Sequence, residues 1–441
     1  MIQTIRRAAA AIVCCALVLA VTAASFGPWD RPLVAGVAGR VAGVGVPRAG
    51  APVAPMPAVL PEIAPVSPLQ RRPWDIPSIR YQMAARTPVR LTATAAILVD
   101  GRTGQVLYGR NEHLIWPPAS TTKIMTALVA VESTPLSTLI TISPQAAHFR
   151  DGSVVGLPQG ARIPLHDLLY ALLLPSGNDV AIAIAEGTAG TVATFVARMN
   201  AEAKRLGAAQ THFADPHGLY MPDHYTTAAD LAIIARAALA NPTIAEIVRT
   251  RRWVFHPAGY GPRVLYNHNK LLARYPGADG VKTGYVNEAG LTLVASATRN
   301  GHRMIAVVLH SRDMWGDSSR LLSFGFARFR PATAAAAGEP LAVVQVPEAS
   351  HAVVGTVADD VTVDVGAGEA LARRVTVAGD LRLPLHRGDR IGEVLVSAGG
   401  RLVDVAPLVA ADNVVTTHTD FEQLMDWIGQ TVGHLLGAAT L

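Results

Sequence analysis

Three short polar motifs contain the residue types that acyl transfer by a serine requires. The first is Ser120-Thr121-Thr122-Lys123, which follows two prolines and opens an apolar run with helical periodicity. In the first turn of that helix, Lys123 lies on the same face as Ser120. A serine hydroxyl becomes a good nucleophile when a neighbouring base takes its proton, and a buried lysine of lowered pKa can be that base. The alternative is a capping serine beside an incidental lysine.

The second motif is Ser176-Gly177-Asn178, which lies between two apolar runs at 168–174 and 180–185. A tight turn between two helices would allow this hydroxyl and this amide to point into one cleft. Taken alone, Ser-Gly-Asn is also an ordinary turn sequence.

The third motif is Lys282-Thr283-Gly284, which precedes an apolar stretch with a hairpin signal. On a strand at the edge of a cleft, Lys282 and Thr283 could hold a carboxylate, and Gly284 would allow a substrate backbone to approach closely. A solvated strand end is the alternative. The chain has 34 Arg and only four Lys, and two of the four lysines fall in these motifs.

Two predicted hairpins enclose a helix-rich segment that would position these motifs. The first joins strands at 95–100 and 105–108, and the second joins 291–298 to 304–310 through Asn300-Gly301, a strong hairpin signal. Between them, apolar periodicity predicts helices over 124–131, 165–174, 180–186, 192–206 and 230–239. Strands at both ends of a helical middle predict an α+β domain over 91–330, an antiparallel sheet with helices packed on it.

The pattern changes after residue 330. An Ala-rich stretch, 332–338, is expected to be a short link, and a small all-β domain is expected over 331–418. Its predicted strands are 342–346, 353–365, 374–377, 391–396 and 401–405. The last segment, 419–441, has an amphipathic helical pattern over 420–437, which fits either a membrane surface or packing against protein.

The N-terminal segment has the pattern of an export signal. Arg6 and Arg7 precede an apolar run over 8–24, so 1–25 is either a cleaved signal peptide or a retained anchor, and the rest works outside the cytoplasm. Residues 26–90 hold 12 of the 30 prolines and are predicted to be a semi-extended linker.

Composition excludes several classes of protein. A hydrophobic content of 50% with 16% charged residues excludes wholesale disorder. Cys14 and Cys15 are adjacent, so they cannot form a disulfide framework. The net charge is +5 without a dense basic patch, which argues against a nucleic-acid partner.

The order and spacing of the three motifs resemble those of the active-site serine penicillin-recognising enzymes. More specifically, the chain resembles the exported D-alanyl-D-alanine carboxypeptidases, the low-molecular-mass penicillin-binding proteins. The resemblance covers about 92–330 and includes 173–179, 211–226 and 277–290. The β-rich part after 330 is similar to that family's second domain. The resemblance implies a β-lactamase/transpeptidase-like fold with an inserted helical subdomain.

The resemblance implies a serine acyl-enzyme mechanism that needs no metal and no organic cofactor. Ser120 would attack the carbonyl between two D-alanines, and Lys123 would take its proton. Ser176 would relay a proton to the leaving D-alanine, while Asn178 would orient Lys123 or the substrate amide. The substrate would be the stem peptide of peptidoglycan, and β-lactams would bind covalently.

The third motif would bind the substrate in the same family scheme. Lys282 and Thr283, with Gly284 beside them, would hold the terminal carboxylate. Backbone N–H groups of Ser120 and Tyr285 would form the oxyanion hole.

Two features of the sequence depart from simple patterns. The family often has a carboxylate-binding arginine beyond the second hairpin, and Arg312 and Arg320 are candidates, but Asp317 falls near the expected position and none is assigned. The acidic and histidine-containing stretch from Asp215 to His224 lacks H-E-x-x-H spacing and is not expected to hold a metal.

Other functions share these residues. A class A β-lactamase would need a glutamate to activate water, and no Glu-x-x-Leu-Asn occurs between 178 and 282. A DD-endopeptidase or transpeptidase would use the same site with another bond or acceptor. A catalytically inactive peptidoglycan-binding protein would have no need of Lys123.

Overall fold

The computed structural model describes residues 89–257 and 261–416. The predicted signal or anchor over 1–25, nearly all of the linker over 26–90 and the predicted helix over 420–437 lie outside these residues.

A five-stranded antiparallel sheet forms the centre of the first domain, with strand order β2-β1-β9-β8-β7. In chain order, the strands of this domain are β1 (Ala95–Asp100), β2 (Val106–Arg110), β3 (Leu139–Thr141), β4 (Arg162–Pro164), β5 (Arg252–Phe255), β6 (Arg263–Tyr266), β7 (Ala278–Val286), β8 (Gly290–Arg299) and β9 (His302–Ser311). Strands β8 and β9 form the hairpin predicted around Asn300-Gly301. Strands β3–β4 and β5–β6 form two further small hairpins.

Nine helices accompany these strands among the described residues. They are α1 (Lys123–Ser133), α2 (Pro144–His148), α3 (Leu165–Leu173), α4 (Asn178–Ala189), α5 (Val192–Leu206), α6 (Ala228–Ala240), α7 (Pro242–Arg249), α8 (Leu271–Arg274) and α9 (Met314–Arg328). Local chemistry fixes several of their ends. The Thr227 hydroxyl accepts from the N–H of Asp230 at the start of α6, and Gly207, with φ of +83°, ends α5.

Side chains alternate between the two faces of the sheet along each strand, and helices pack on both faces, so both faces are buried. Ile97, Val307 and Val294 lie in one apolar core with helices α1, α3, α4 and α6. Leu98 and Val308 lie in a second core on the opposite face, against α9. This arrangement of an antiparallel sheet between helices confirms the predicted α+β class.

The second domain is β-rich, as predicted. Its strands are β10 (Phe329–Ala335), β11 (Ala342–Val344), β12 (Val353–Thr356), β13 (Val361–Gly366), β14 (Leu371–Val377), β15 (Arg390–Ala398) and β16 (Arg401–Ala410). Five of them form a sheet in the order β11-β12-β16-β15-β14, and β10 pairs with β13.

The expected link over 332–338 is wrong in its first part. Residues from Ala332 to Ala335 continue β10, which pairs antiparallel with β13 and places Ala335 in the core of the second domain. Alanine has a low intrinsic strand preference, so the sequence pattern favoured a link. Pairing with a partner strand about thirty residues away overrides that preference.

Polar contacts join the two domains. Gln105 exchanges two hydrogen bonds with the backbone of Asp364 on β13, each of 2.9 Å. The ring of His302 lies between two buried carboxylates, with Nε2 3.2 Å from Asp100 and 3.0 Å from Asp364.

No single helix among the described residues is both long and apolar enough to span a membrane. Two bent pairs, α4 with α5 and α6 with α7, are long and apolar enough when each pair is taken together.

Candidate active site

The Ser120 hydroxyl and the Lys123 amine meet at the start of α1. Residues Ala119–Thr122 form a 3₁₀ turn that leads directly into α1, so Ser120 lies in this turn rather than in an α-helical one. We call Ala119–Thr122 the nucleophile turn. Lys123 Nζ lies 3.1 Å from Ser120 Oγ. Ser120 is partly exposed, whereas Lys123 is completely buried, so the pair presents the hydroxyl to solvent and keeps the amine in the interior.

Two strong acceptors hold the Lys123 amine. Nζ donates to Oδ1 of Asn178 and to the backbone carbonyl of His217, each at 2.6 Å. Burial lowers the pKa of Lys123 well below its usual value, and the nearby charge of Lys282 lowers it further, while Asp215 and Asp179 oppose the shift. A neutral amine has two hydrogens and one lone pair. If the two hydrogens go to the two short acceptors, the lone pair is left for the Ser120 O–H.

Asn178 is fixed in orientation by the loop in front of it. Its Nδ2 donates to the carbonyl of Asp151 at 2.8 Å, so its Oδ1 is the atom that faces Lys123. Its backbone N–H donates to the carbonyl of Ser153. The carboxylate of Asp179 accepts hydrogen bonds from three successive N–H groups of the same loop, those of residues 155–157. The loop is therefore attached to the beginning of α4.

Ser176 lies in the turn between α3 and α4. It has a left-handed backbone, with φ of +67°, and its side chain is buried. Its Oγ makes no hydrogen bond to any residue that the structure describes. The structure thus places Ser176 two residues before Asn178 without a hydrogen bond to Ser120 or Lys123.

The Lys-Thr-Gly motif lies on β7, which is an edge strand of the central sheet. This strand packs against the nucleophile turn. A Cβ at Gly284 would lie 2.4 Å from Thr292 Oγ1 and 3.1 Å from both Ala119 Cβ and the Pro118 carbonyl. Only glycine fits this contact, because the missing side chain lets the strand and the turn touch.

Lys282 and its neighbours differ strongly in exposure. The Lys282 side chain is 1% exposed, and its Nζ donates to the Thr283 carbonyl at 3.1 Å. Burial lowers the pKa of Lys282 to about 7. Thr283 is partly exposed and Tyr285 is 59% exposed, so these two lie on the solvent side of the strand.

The loop from Asp215 to His224 supplies a contact that sequence reasoning missed, the His217 carbonyl. One carboxylate oxygen of Asp215 accepts from the N–H groups of His217 and Gly218, which shapes the turn and directs that carbonyl toward Lys123. A backbone carbonyl carries no side-chain signature, so no residue type could have pointed to it.

Other charged residues near the hairpin and the domain contact also have defined partners. Asp317 is buried and accepts hydrogen bonds from Thr92, Ser311 and Arg320, so it joins the chain before β1 to α9.

Among the described residues, one group of side chains could hold a metal ion, Asp100 with His302 and Asp364. That group belongs to the domain contact on β1, β9 and β13.

The contact between Ser120 and Lys123 and the edge strand that packs on their turn define the class of protein. The chain is a penicillin-recognising serine enzyme with an α+β catalytic domain.

Comparison with known proteins gives the family. The family described as D-alanyl-D-alanine carboxypeptidase, Peptidase_S11, matches residues 81–313, and the penicillin-binding protein 5 C-terminal domain matches 329–416. The chain belongs to this family of serine-type D-Ala-D-Ala carboxypeptidases, which act on peptidoglycan and bind penicillin. The predicted family and activity are thereby confirmed.

Individual relatives show how far the similarity extends. D-alanyl-D-alanine carboxypeptidase DacF of Bacillus subtilis is 30% identical over 334 residues, 73% of this chain and 86% of that protein. DacB2 of Mycobacterium tuberculosis is 39% identical over 239 residues, 52% of this chain and 81% of that protein. The crystal structure of penicillin binding protein 5 from Haemophilus influenzae has a TM-score of 0.68 at 29% identity, covering 75% of this chain and 99% of that one.

Proposed function

We propose that Ser120 is the nucleophile and Lys123 the general base of the carboxypeptidase reaction. The observation that carries this proposal is the position of the buried Lys123 amine, 3.1 Å from Ser120 Oγ and 2.6 Å from each of two fixed acceptors. Asn178 Oδ1 and the His217 carbonyl take the two hydrogens of the neutral amine. Its lone pair then accepts the proton as Ser120 Oγ bonds to the carbonyl carbon between the two D-alanines.

The negative charge that develops on the substrate carbonyl oxygen needs donors. Backbone N–H groups of Ser120 and Tyr285 are proposed as those donors, since the nucleophile turn and β7 are in contact through Gly284. A donor of this kind contributes about 10²–10³-fold to the rate of acyl transfer.

The terminal carboxylate of the peptide is proposed to bind Lys282 and Thr283. A carboxylate beside the buried Lys282 amine would favour its charged form, so binding would be accompanied by proton uptake at neutral pH. Gly284 would let the peptide backbone approach the edge of the sheet.

The second half of the reaction returns the proton. The tetrahedral intermediate collapses with cleavage of the C–N bond, and the proton held by Lys123 passes to the leaving nitrogen. Ser176 is proposed as the relay for that proton, because its buried hydroxyl has no hydrogen bond to a described residue. Water then attacks the acyl-enzyme carbonyl carbon and gives a proton to Lys123. Lys123 passes this proton to Ser120 Oγ as the bond between Oγ and the acyl carbon breaks, which releases the shortened peptide and restores Ser120. None of these steps requires a metal or an organic cofactor.

The place of action is proposed to be outside the cytoplasm. The signal or anchor pattern over 1–25 supports this, and so does the substrate class, since peptidoglycan stem peptides are extracytoplasmic. The proposed partners are therefore the stem peptide and β-lactams, with the helical pattern over 420–437 as a candidate contact to a membrane surface.

The test uses a pentapeptide ending in D-Ala-D-Ala, assayed for free D-alanine, together with labelling by a fluorescent penicillin. We expect stoichiometric labelling of the wild-type chain and none of Ser120→Ala. Ser137→Ala, which changes an exposed serine, is the matched control and should label fully. Labelling of Ser120→Ala would show that the nucleophile is misassigned.

The same assays separate the related activities. Transfer of the acyl group to an added amine acceptor in preference to water would indicate a transpeptidase. Rapid multiple turnover of a chromogenic cephalosporin would indicate a β-lactamase.

A further inference from the structure

The residue directly before the proposed nucleophile has an unusual backbone conformation. Ala119 has φ of +50°, a left-handed value that residues with a side chain rarely adopt. Such a conformation persists only where the surroundings impose it. The surroundings of Ala119 therefore show what holds the nucleophile turn in place.

Two features hold the Ala119 carbonyl. The Thr122 hydroxyl donates to it at 2.8 Å. Gly218 packs directly against it, since a Cβ at Gly218 would lie 2.0 Å from the Ala119 oxygen. The carbonyl is thus directed into the interior, between the end of its own turn and the loop that follows Asp215.

The Thr122 hydroxyl is in turn held by His224, which is 2% exposed. His224 Nε2 lies 2.8 Å from Thr122 Oγ1, and the N–H of Ala214 donates to His224 Nδ1 at 3.2 Å. The single proton of the hydroxyl is given to the Ala119 carbonyl, so the Nε2–H must donate to the hydroxyl oxygen. Nδ1 accepts the Ala214 N–H and also lies 3.5 Å from Oδ2 of Asp215, and on the two hydrogen bonds we assign the proton of the neutral ring to Nε2. Burial agrees with this state, because it lowers the pKa of His224 to about 4.

The direction of the Ala119 carbonyl fixes the direction of the Ser120 N–H. Both belong to one planar trans peptide unit, in which C=O and N–H point in opposite directions. A carbonyl held against Gly218 and Thr122 therefore turns the Ser120 N–H to the opposite side of the peptide unit, away from those two residues.

We propose that His224 and Thr122 are positioning residues that hold the Ser120 N–H in the direction needed to stabilise the oxyanion. This proposal rests on the proposed role of Ser120 as nucleophile and oxyanion donor. Neither side chain touches the substrate in this scheme, since both act through the Ala119–Ser120 peptide unit.

Two pairs of variants separate the hydrogen bonds from simple packing. Thr122→Val keeps the shape of the side chain and loses the hydroxyl, whereas Thr122→Ser keeps the hydroxyl. His224→Gln places an amide N–H near the Nε2 position, whereas His224→Asn places it near the Nδ1 position. The measurement is the first-order rate constant for acylation by a penicillin, with the dissociation constant of the initial complex and the melting temperature recorded for each variant.

We expect Thr122→Val and His224→Asn to acylate at least tenfold more slowly, with the initial dissociation constant changed less than threefold. Thr122→Ser and His224→Gln should remain within about threefold of wild type. Infrared difference spectra of the acyl-enzyme should show the ester carbonyl band at higher frequency in Thr122→Val, because a misdirected N–H polarises it less. In Thr122→Ser, which keeps the hydroxyl, this band should stay at the wild-type frequency.

Equal acylation rates and carbonyl bands in Thr122→Val and wild type would overturn the proposal, as would equal slowing in Thr122→Ser and Thr122→Val. If Thr122→Val does not fold, the comparison of His224→Gln with His224→Asn decides in the same way. Labelling of Ser120→Ala would instead disprove the assignment of the nucleophile, so failure of the two proposals can be told apart.

Discussion

Lys123 Nζ and Asn178 Oδ1 are 2.6 Å apart, so a single hydrogen bond joins the first residues of α1 and α4 inside the site. The other end of the Asn178 amide is attached to the carbonyl of Asp151. The amide therefore presents its oxygen, and not its NH₂ group, to the Lys123 amine.

Replacing that amide by a carboxylate should raise the pKa of Lys123, the proposed base. In Asn178→Asp, a negative charge beside the Lys123 ammonium favours the charged form, which cannot accept a proton. We expect acylation by penicillin at pH 7 to fall at least tenfold, and the acid limb of its pH–rate profile to move to higher pH. Asn300→Asp, on the turn of the β8–β9 hairpin, is the control. An unshifted acid limb would contradict the role given to Asn178.

Removal of the Lys282 amine should weaken substrate capture more than chemistry. Lys282→Ala deletes the buried cation proposed to bind the terminal carboxylate, so KM for the pentapeptide should rise about tenfold or more with a smaller change in kcat. Because burial lowers the pKa of Lys282 to about 7, its charge is lost as the pH rises through that value, and capture by the free wild-type enzyme should weaken there. Lys270→Ala, at an exposed lysine, should leave KM unchanged. A wild-type KM in Lys282→Ala would be incompatible with carboxylate binding.

A single methyl group at Gly284 should separate β7 from the nucleophile turn. The added Cβ would lie 2.4 Å from Thr292 Oγ1, so neighbouring atoms must move. Overpacking of this kind costs about 1–3 kcal/mol of stability. We expect Gly284→Ala to lower the acylation rate at least tenfold at a temperature where the chain is folded. Gly379→Ala adds its methyl group in open space and should behave as wild type in both measurements. Full acylation activity in Gly284→Ala would show that the close contact is dispensable.

The domain contact should depend on pH through His302. Burial alone would lower the pKa of this ring, but hydrogen bonds and charges from Asp100 and Asp364 raise it to about 9. A raised pKa stabilises the fold below the unfolded value near 6.5, and this contribution disappears as the pH rises through 9. We expect the melting temperature of wild type to fall over this interval, with a loss of about 3 kcal/mol in the free energy of unfolding.

The variant His302→Gln should be less stable than wild type at pH 6 and should lose less stability between pH 6 and 9.5. His351→Gln is a matched control, because His351 also pairs with an aspartate but at an exposed position in the second domain. Repeating the series with a chelator distinguishes a proton from a metal ion as the group that holds the two carboxylates. Parallel curves for His302→Gln and wild type would exclude His302 as the source of the pH dependence.

Sequence patterns were sufficient where a contact depends on side chains at short spacing. Ser120 and Lys123 are three residues apart in a helical start, and the structure places their side-chain atoms in contact. The hairpin at Asn300-Gly301 was likewise predictable, because those two residues favour the backbone of a tight turn.

Patterns failed where a contact depends on backbone or on distant pairing. The His217 carbonyl binds Lys123 across 94 residues, and any residue type could supply that oxygen. From the sequence, the role to consider for His224 is that of a metal ligand, and the spacing of the nearby residues argues against that role. Its contact with Thr122 joins residues 102 positions apart and depends on tertiary packing. Strand β10 forms because β13 provides a partner, not because its alanines prefer a strand.

Helix α9 ends at Arg328 and strand β10 begins at the next residue, Phe329, so no flexible connector separates the catalytic domain from the β-rich one. Residues of the catalytic domain also contact β13, through the hydrogen bonds of Gln105 and His302 with Asp364. A change in the angle between the two domains would therefore have to alter the α9–β10 junction together with these contacts.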